Sequence, residues 1–270
     1  GWTFFVLWRI PGKVGFGRGA KRRSLWLAKQ DIGITPSPIG YNSDIIWIFI
    51  DIFTLYDRIK SILINVLKEV KQLISLDEYI KHPCTSLSIP YWKSKNINLP
   101  DNMKIVHDND FTIEYLKIYQ DEKYFRLYHD LKKIEKINLA EYTIITAEPD
   151  DIKTIVSIIN KSYTDIQVNY AQIIGYTQTS VYKPNLWVLI IEKVTGKCVG
   201  CGIADYDDET KEMILEWIQV LPDYRSQKIG QAIVNELLYR IKNIANFATV
   251  SGKVNNPTNS ETLYRKCGFI

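Results

Sequence analysis

The sequence predicts an α/β protein (α+β, with a mixed sheet) in its C-terminal half, preceded by a smaller helical/mixed accessory domain. Two observations lead there. After Leu139 short β-branched runs alternate with amphipathic runs in the order β-α-α-β-β-β-α-β-α. Between Asp44 and Leu73 the apolar residues instead recur at spacings of three and four, the period of a helix face. The expected organisation is a basic extension at 1–43, the accessory domain at 44–140, and the α/β fold at 141–270.

Residues 1–43 hold seven of the fourteen glycines and seven Lys/Arg against the single acid Asp31. No apolar period is visible there, so a poorly ordered extension is expected. The competing reading is a basic arm for nucleic acid or an anionic surface, with Trp2, Phe4, Phe5 and Trp8 as anchors. From Asp44, a plausible N-cap, Ile52, Leu55, Ile59, Ile62, Leu63, Val66, Val70 and Leu73 mark the helix face. Residues 82–100, broken by three prolines, read as loop. Residues 110–137 read as further helix carrying Phe111, Tyr115, Ile118, Tyr119, Phe125, Leu127 and Tyr128.

The later elements follow in order. Residues 142–147 alternate as a strand, Glu148-Pro149-Asp150-Asp151 opens a helix over 152–163, and a second helix covers 170–176. Strands 186–192 and 197–205 meet in a hairpin at Thr195-Gly196. A polar turn leads to a strand over 213–220. Then come a helix to about residue 246, a strand over 248–254, and a helix over 257–266.

Composition narrows the class. With 46% hydrophobic and 24% charged residues the chain reads as a soluble globular protein, and a net charge of +4 does not by itself call for nucleic acid. No apolar run of about eighteen residues is present, and no signal-peptide pattern. Four scattered cysteines make no disulfide framework, so a reduced, cytoplasmic protein is expected. Cys198 and Cys201 spell Cys-x-x-Cys, but without a second pair or spaced histidines no metal site is expected. In a regular strand these two would also point to opposite faces.

The most informative stretch is Leu221 to Ala232, a basic turn joining a strand to a helix. Amides at a helix start lack intrahelical acceptors and carry partial positive charge, a ready site for a pyrophosphate. Gly230 would allow close backbone approach, with Arg225 and Lys228 adding full charge. Residues Gln227 to Ala232 fit Gln/Arg-x-x-Gly-x-Gly/Ala. Roughly thirty residues on, Leu263-Tyr264-Arg265-Lys266-Cys267-Gly268-Phe269 closes a helix. In this order and spacing the two motifs resemble the GCN5-related N-acetyltransferase (GNAT) superfamily.

That resemblance implies an acyl-CoA N-acyltransferase fold over 141–270 and acetyl-CoA as co-substrate, with no metal. It also implies the site. Arg225, Gln227, Lys228, Ile229, Gly230, Gln231 and Ala232 would hold the phosphates, and a backbone amide at Gln219 or Val220 the thioester oxygen. Asn256 would touch the coenzyme arm, although its spacing to Tyr264 is one residue longer than usual. Relatives often carry glycine where Ser226 and Lys228 stand, so positive φ at Lys228 would count against tight binding. The family also continues past Gly-Phe with further strands, so either the sheet is completed otherwise or the C-terminal strands are truncated, and truncation is expected.

The chemistry names the remaining candidates. An alkyl amine titrates near ~10 and must lose a proton before attacking a thioester. Glu216 interrupts an apolar strand fourteen residues before Gly230, where histone-type members of the family place a catalytic glutamate; Asp205 and Tyr206 are fallback bases. Tyr264 resembles the family's acid toward the departing thiolate. The expected activity is acetyl transfer to the primary amine of a small molecule or amino-acid-like acceptor, in a ternary complex, with no membrane partner and a homodimer left open. The alternatives are a non-catalytic acyl-CoA-sensing module and a nucleic-acid-binding protein led by the basic arm.

Overall fold

A computed structural model describes residues 2–10, 74–96, 98–163 and 166–270. The helix expected over 52–73, its cap Asp44 and the basic residues between Lys13 and Lys29 lie outside the described residues. Residues 1–11 and 76–270 form one compact unit, so the described part of the expected accessory domain is continuous with the C-terminal half.

Its frame is an eight-stranded mixed sheet in the order β2-β1-β3-β8-β7-β6-β5-β4. The strands are β1 (Trp2–Arg9), β2 (Met103–His107), β3 (Tyr119–His129), β4 (Tyr142–Thr146), β5 (Trp187–Glu192), β6 (Cys198–Asp207), β7 (Glu212–Val220) and β8 (Phe247–Lys253). The described helices are α1 (Leu76–Lys81), α2 (Tyr91–Asn96), α3 (Ile152–Ser162), α4 (Tyr170–Tyr176), α5 (Ile229–Ile241) and α6 (Ser260–Lys266). All neighbours pair antiparallel except β7 and β8. That parallel pair requires a crossover, which α5 supplies.

Alternation along β5 and β6 puts a core on each face. Val188, Ile190, Val199 and Ala204 pack under α5 with Ile233, Leu237 and Ile241. Trp187, Leu189, Cys201 and Ile203 pack under α3 and α4 with Ile155, Ile159 and Ile173. Gly202 lets α5 settle, since a Cβ there would meet Ile233 Cγ2 at 2.3 Å. Two capping boxes start the second layer: Asp151 accepts from the Glu148 amide at 2.9 Å, and Asn169 and Gln172 exchange amide bonds at 2.9 Å.

Three expectations need correction. Residues 2–9 are not a loose extension but a strand between β2 and β3. A strand paired on both edges and covered needs no alternation, so its run Phe4-Phe5-Val6-Leu7 is simply buried. That also removes Phe4 and Phe5 as nucleic-acid anchors. Residues 110–137 are not a helix: after one 3₁₀ turn at Ile113–Lys117 they form β3. Tyr and Phe favour pleated, half-buried surfaces, and the period of two at Phe125, Leu127 and His129 was hidden by the aromatic content. The proline-rich loop contains the helix α2, begun just after Pro90.

The sheet continues beyond β8 by upstream strands. β3 pairs with β8 from Tyr124 to His129. Ile270 itself exchanges backbone bonds with Tyr128 at 2.9 and 3.1 Å. The Cys-x-x-Cys expectation is corrected too. A register shift between Ile190 and Ile191 leaves Val199 without a cross-strand partner, so both Cys198 and Cys201 contact the same core. Both thiols are free, with burial raising their pKa.

A buried polar network fastens residues 76–91 to the sheet. Arg126 on β3 donates to Tyr79 Oη (2.9 Å), Glu212 Oε1 (3.2 Å), Thr249 Oγ1 (3.3 Å) and the Pro83 carbonyl (3.3 Å). Tyr79 donates in turn to Glu212 Oε2 at 2.7 Å. Arg126 and Glu212 are almost fully buried, and such a charge persists only when paired and hydrogen-bonded. No described helix is long and apolar enough to cross a membrane.

Candidate active site at the splayed strands

β7 and β8 pair only from Glu212–Leu215 to Phe247–Val250. Beyond Leu215, β7 pairs with β6 alone, and beyond Val250, β8 pairs with β3 alone, so a wedge opens between them. The cause lies in β7. Leu215 faces Ala204 and Trp217 faces Ile203, leaving Glu216 opposite no residue. Such a bulge bends its strand and increases its twist, and the parting from β8 begins at this point.

The wedge exposes backbone donors. The Leu221 amide donates to Val199 O at 2.9 Å, and amides alternate in direction along an antiparallel strand. The amides of Trp217 and Gln219 therefore face β6, while those of Ile218 and Val220 face the wedge. Gln219 is thus excluded as the expected backbone donor and Val220 is retained. The Gln219 side chain instead donates to Tyr163 Oη at 2.9 Å.

At the mouth of the wedge the turn at Pro222–Tyr224 leads into α5. The first intrahelical bond of α5 is Ala232 N to Lys228 O, 3.0 Å. The amides of Ile229, Gly230 and Gln231 have no acceptor among the described residues, and Lys228 offers no side-chain cap. Helix dipole and unpaired donors thus converge beside the wedge. Ala232 does not join them, because its amide is already bonded and its side chain is buried.

The exposed loop residues have definite partners. Arg225 spans Ser162 O (2.8 Å) and Val220 O (3.3 Å), tying the end of α3 to the end of β7. Gln227 Oε1 accepts from Tyr142 Oη at 2.7 Å. Gly230 is a packing residue as well, since a Cβ there would stand 3.2 Å from Leu263 Cδ2 of α6. The Asn256 oxygen accepts from the Thr258 amide (3.0 Å) and its nitrogen donates to Ser260 Oγ (2.6 Å). This residue shapes the turn into α6 and lines a surface cleft there with Lys253, Asn255 and Ser260.

Ser226 and Lys228 adopt φ of 64° and 62°, the condition that counts against tight coenzyme binding at Lys228. The left-handed region costs a residue with a Cβ roughly 1–2 kcal/mol. Ser226→Gly and Lys228→Gly are each expected to stabilise the fold by about 1 kcal/mol, read as a higher thermal midpoint. No gain from either would show that the loop does not hold this conformation.

Glu216 sits beside two groups the bulge brings to its face. Its carboxylate accepts from Lys93 Nζ of α2, with both side chains about a quarter exposed or less. Asp205 of β6 is buried, and its carboxyl is pushed up to about 8, first by burial and then by Glu216, with Lys93 opposing. Asp205 therefore carries a proton at neutral pH. A carboxyl raised in the folded state stabilises fully below its unfolded value near ~3.9, and that stability is lost as pH rises through about 8. Asp205→Asn should flatten the decline in thermal midpoint from pH ~4 to ~8; an unchanged slope would place the proton elsewhere. Tyr206, the other fallback, faces the opposite core and donates to Ile244 O at 2.9 Å.

Tyr163 and Trp217 meet edge to face, ring centres 6.2 Å apart, and the electrostatic influence of Glu216 reaches Tyr176. Tyr264 is buried on α6, its ring 6.2 Å from Phe125 and 6.0 Å from Phe269. Burial raises its phenol, with Tyr163, Cys267 and Glu216 adding to the shift; it keeps its proton at neutral pH. Lys93, Tyr163 and Tyr176 were not found as individual site residues from sequence. Lys93 joins the site only through tertiary contact, 123 positions from Glu216, and no local pattern marks it.

A family model described as an acetyltransferase (GNAT) domain matches residues 183–270. The chain is similar to a solved GCN5-related N-acetyltransferase from Sphaerobacter thermophilus at 18% identity, over 54% of this chain and 47% of that chain, with a TM-score of 0.48. It is similar to Ard1 from Thermoplasma volcanium at 20% identity, over 48% of this chain and 84% of that chain, with a TM-score of 0.42. A Mycobacterium tuberculosis protein solved in complex with CoA matches at 19% identity, over 38% of this chain and 58% of that chain, with a TM-score of 0.31. The chain thus spans about half the length of the Sphaerobacter protein. No curated protein matches it.

Proposed function

Residues 183–270 belong to the acetyltransferase (GNAT) family, and from that premise we propose that the chain moves an acetyl group from acetyl-CoA to the primary amine of a small or amino-acid-like acceptor, by direct attack in a ternary complex. The observation that carries this reading is the wedge between β7 and β8, with unpaired amides on its β7 side and the bare N-terminus of α5 at its mouth.

The residues divide the work. The amides of Ile229, Gly230 and Gln231, with Lys228 nearby, hold the diphosphate. Acetyl-CoA supplies a thioester carbonyl already activated toward an amine. The Val220 amide donates to that carbonyl oxygen as negative charge develops on it, an effect worth roughly 3–4 kcal/mol in other enzymes. Glu216 removes the proton of the amine, directly or through one water. Tyr264 supplies a proton toward the departing sulfur. Tyr163, Tyr176 and Trp217 wall the acceptor side with aromatic surface that suits a small apolar-bodied amine.

Thiol release from acetyl-CoA across a panel of primary amines tests this reading. At least one amine should be turned over, and Tyr264→Phe should lower kcat about 100-fold or more while coenzyme affinity stays unchanged. Coenzyme uptake with no turnover of any amine would instead favour the sensing reading.

A further inference from the structure

We propose that Lys93 is itself an acetyl acceptor of this site, so that the chain modifies its own active site before serving an external amine. The proposal rests on the acetyltransfer reading above and deepens it by naming an acceptor. Three observations carry it.

The first is placement. Lys93 comes from α2, far upstream in sequence, yet its ammonium is bonded to Glu216, the one carboxylate set in the bulge where the wedge opens. An amine awaiting deprotonation occupies the same position relative to its base. The second is reach. Val220 lies four residues along β7 from Glu216, roughly 13 Å of strand. The Lys93 side chain, about a quarter exposed, has a flexible four-carbon stem that covers part of that line, and the acetyl end of a coenzyme entering the wedge would cover the rest. The third is electrostatics. Asp205 holds a proton first because it is buried and then because Glu216 lies close by, so the pair presents one negative charge and Lys93 answers it with one positive charge. An incoming cationic amine must displace Lys93 or find it neutralised.

The step balances. Glu216 takes one proton from the Lys93 ammonium. The freed amine forms a nitrogen–carbon bond with the acetyl carbonyl of acetyl-CoA, the carbon–sulfur bond breaks, and the thiolate is protonated by Tyr264. The second amine proton passes to solvent. Products are Nε-acetyl-Lys93 and coenzyme A. The neutral amide no longer pairs with Glu216, so the carboxyl pair is left open to an external ammonium.

The test uses the full chain incubated with acetyl-CoA, with peptide mass spectrometry following acetylation of Lys93, Lys95 and Lys104 over time at two protein concentrations. Lys95 lies one turn-half away on the same helix but pairs with exposed Glu209, so it reports uncatalysed acetylation. Calorimetry on the same sample records coenzyme uptake. The expected result is Lys93 acetylation with a rate constant independent of protein concentration, faster than at Lys95, and about 100-fold slower in Glu216→Gln. Lys93→Arg, which keeps the ion pair but cannot be acetylated, should abolish that mark and lower turnover of an external amine, while coenzyme uptake persists. Coenzyme uptake with Lys93 unmodified, or modified no faster than Lys95, overturns the proposal and leaves the acetyltransfer reading standing. Absence of coenzyme uptake overturns both.

Discussion

Glu216→Gln is expected to lower kcat/KM for a reactive amine by about 100- to 10,000-fold while leaving acetyl-CoA affinity within a factor of about two. The amide keeps the shape of the side chain and can still bond to Lys93, so the bulge and the wedge should survive. What is lost is the proton acceptor. The mutant rate should rise with pH as the acceptor amine, titrating near ~10, loses its proton in solution. Parallel rate and calorimetric titrations at several pH values check this. An unchanged kcat/KM would move the base to water or to Asp205. A lost coenzyme affinity would show instead that Glu216 holds the wedge open.

The largest stability effect should come from Arg126. Arg126→Met removes the cation that faces fully buried Glu212, together with the donors to Tyr79, Thr249 and Pro83. Removing one partner of a buried pair costs about 3–5 kcal/mol, because the other charge remains without compensation. Burial already raises the Glu212 carboxyl, with Arg126 as the leading opposing influence. Without Arg126 the carboxyl rises further and takes up a proton. A carboxyl raised in the folded state stabilises at low pH and loses that contribution as pH rises, so the mutant's deficit should grow with pH. Adding Glu212→Leu should recover much of the loss. Urea denaturation at two pH values measures both effects; a loss below about 1 kcal/mol would show that residues 76–91 are held by apolar contact alone.

That network also links stability to the site. Tyr79 and Pro83 precede α2, which carries Lys93 to Glu216. Loosening Arg126 should therefore weaken the Lys93 contact even though neither residue touches the other.

How much of this was legible depended on the range of the forces involved. From Tyr142 onward the order of strands and helices could be read directly, because alternation, the acidic turn Glu148-Pro149-Asp150-Asp151 and the turn at Thr195-Gly196 are local signals. β1 and β3 could not be read this way. The run Phe4 to Leu7 shows no alternation since both its faces are buried, and its strand character comes from pairing with β2 and β3. The bulge at Glu216 depends on cross-strand register, which no single strand encodes. Likewise the left-handed conformations at Ser226 and Lys228 stand at residues that do not advertise positive φ. The anion-binding character of α5 was legible, but the division of the site into free and spent amides was not: Ala232 and Gln219 were each named for roles that the pairing of their backbone amides excludes.

The central claim is that the wedge of β7 and β8, with the open N-terminus of α5, takes up the diphosphate arm of a coenzyme A thioester. Isothermal titration of acetyl-CoA into the folded full chain tests it most directly, with Gly230→Glu as the comparison. The account predicts saturable one-to-one uptake that the added carboxylate greatly weakens, since it sets negative charge at the helix start. Heat no different from dilution, from a sample whose melting transition shows it to be folded, would contradict it.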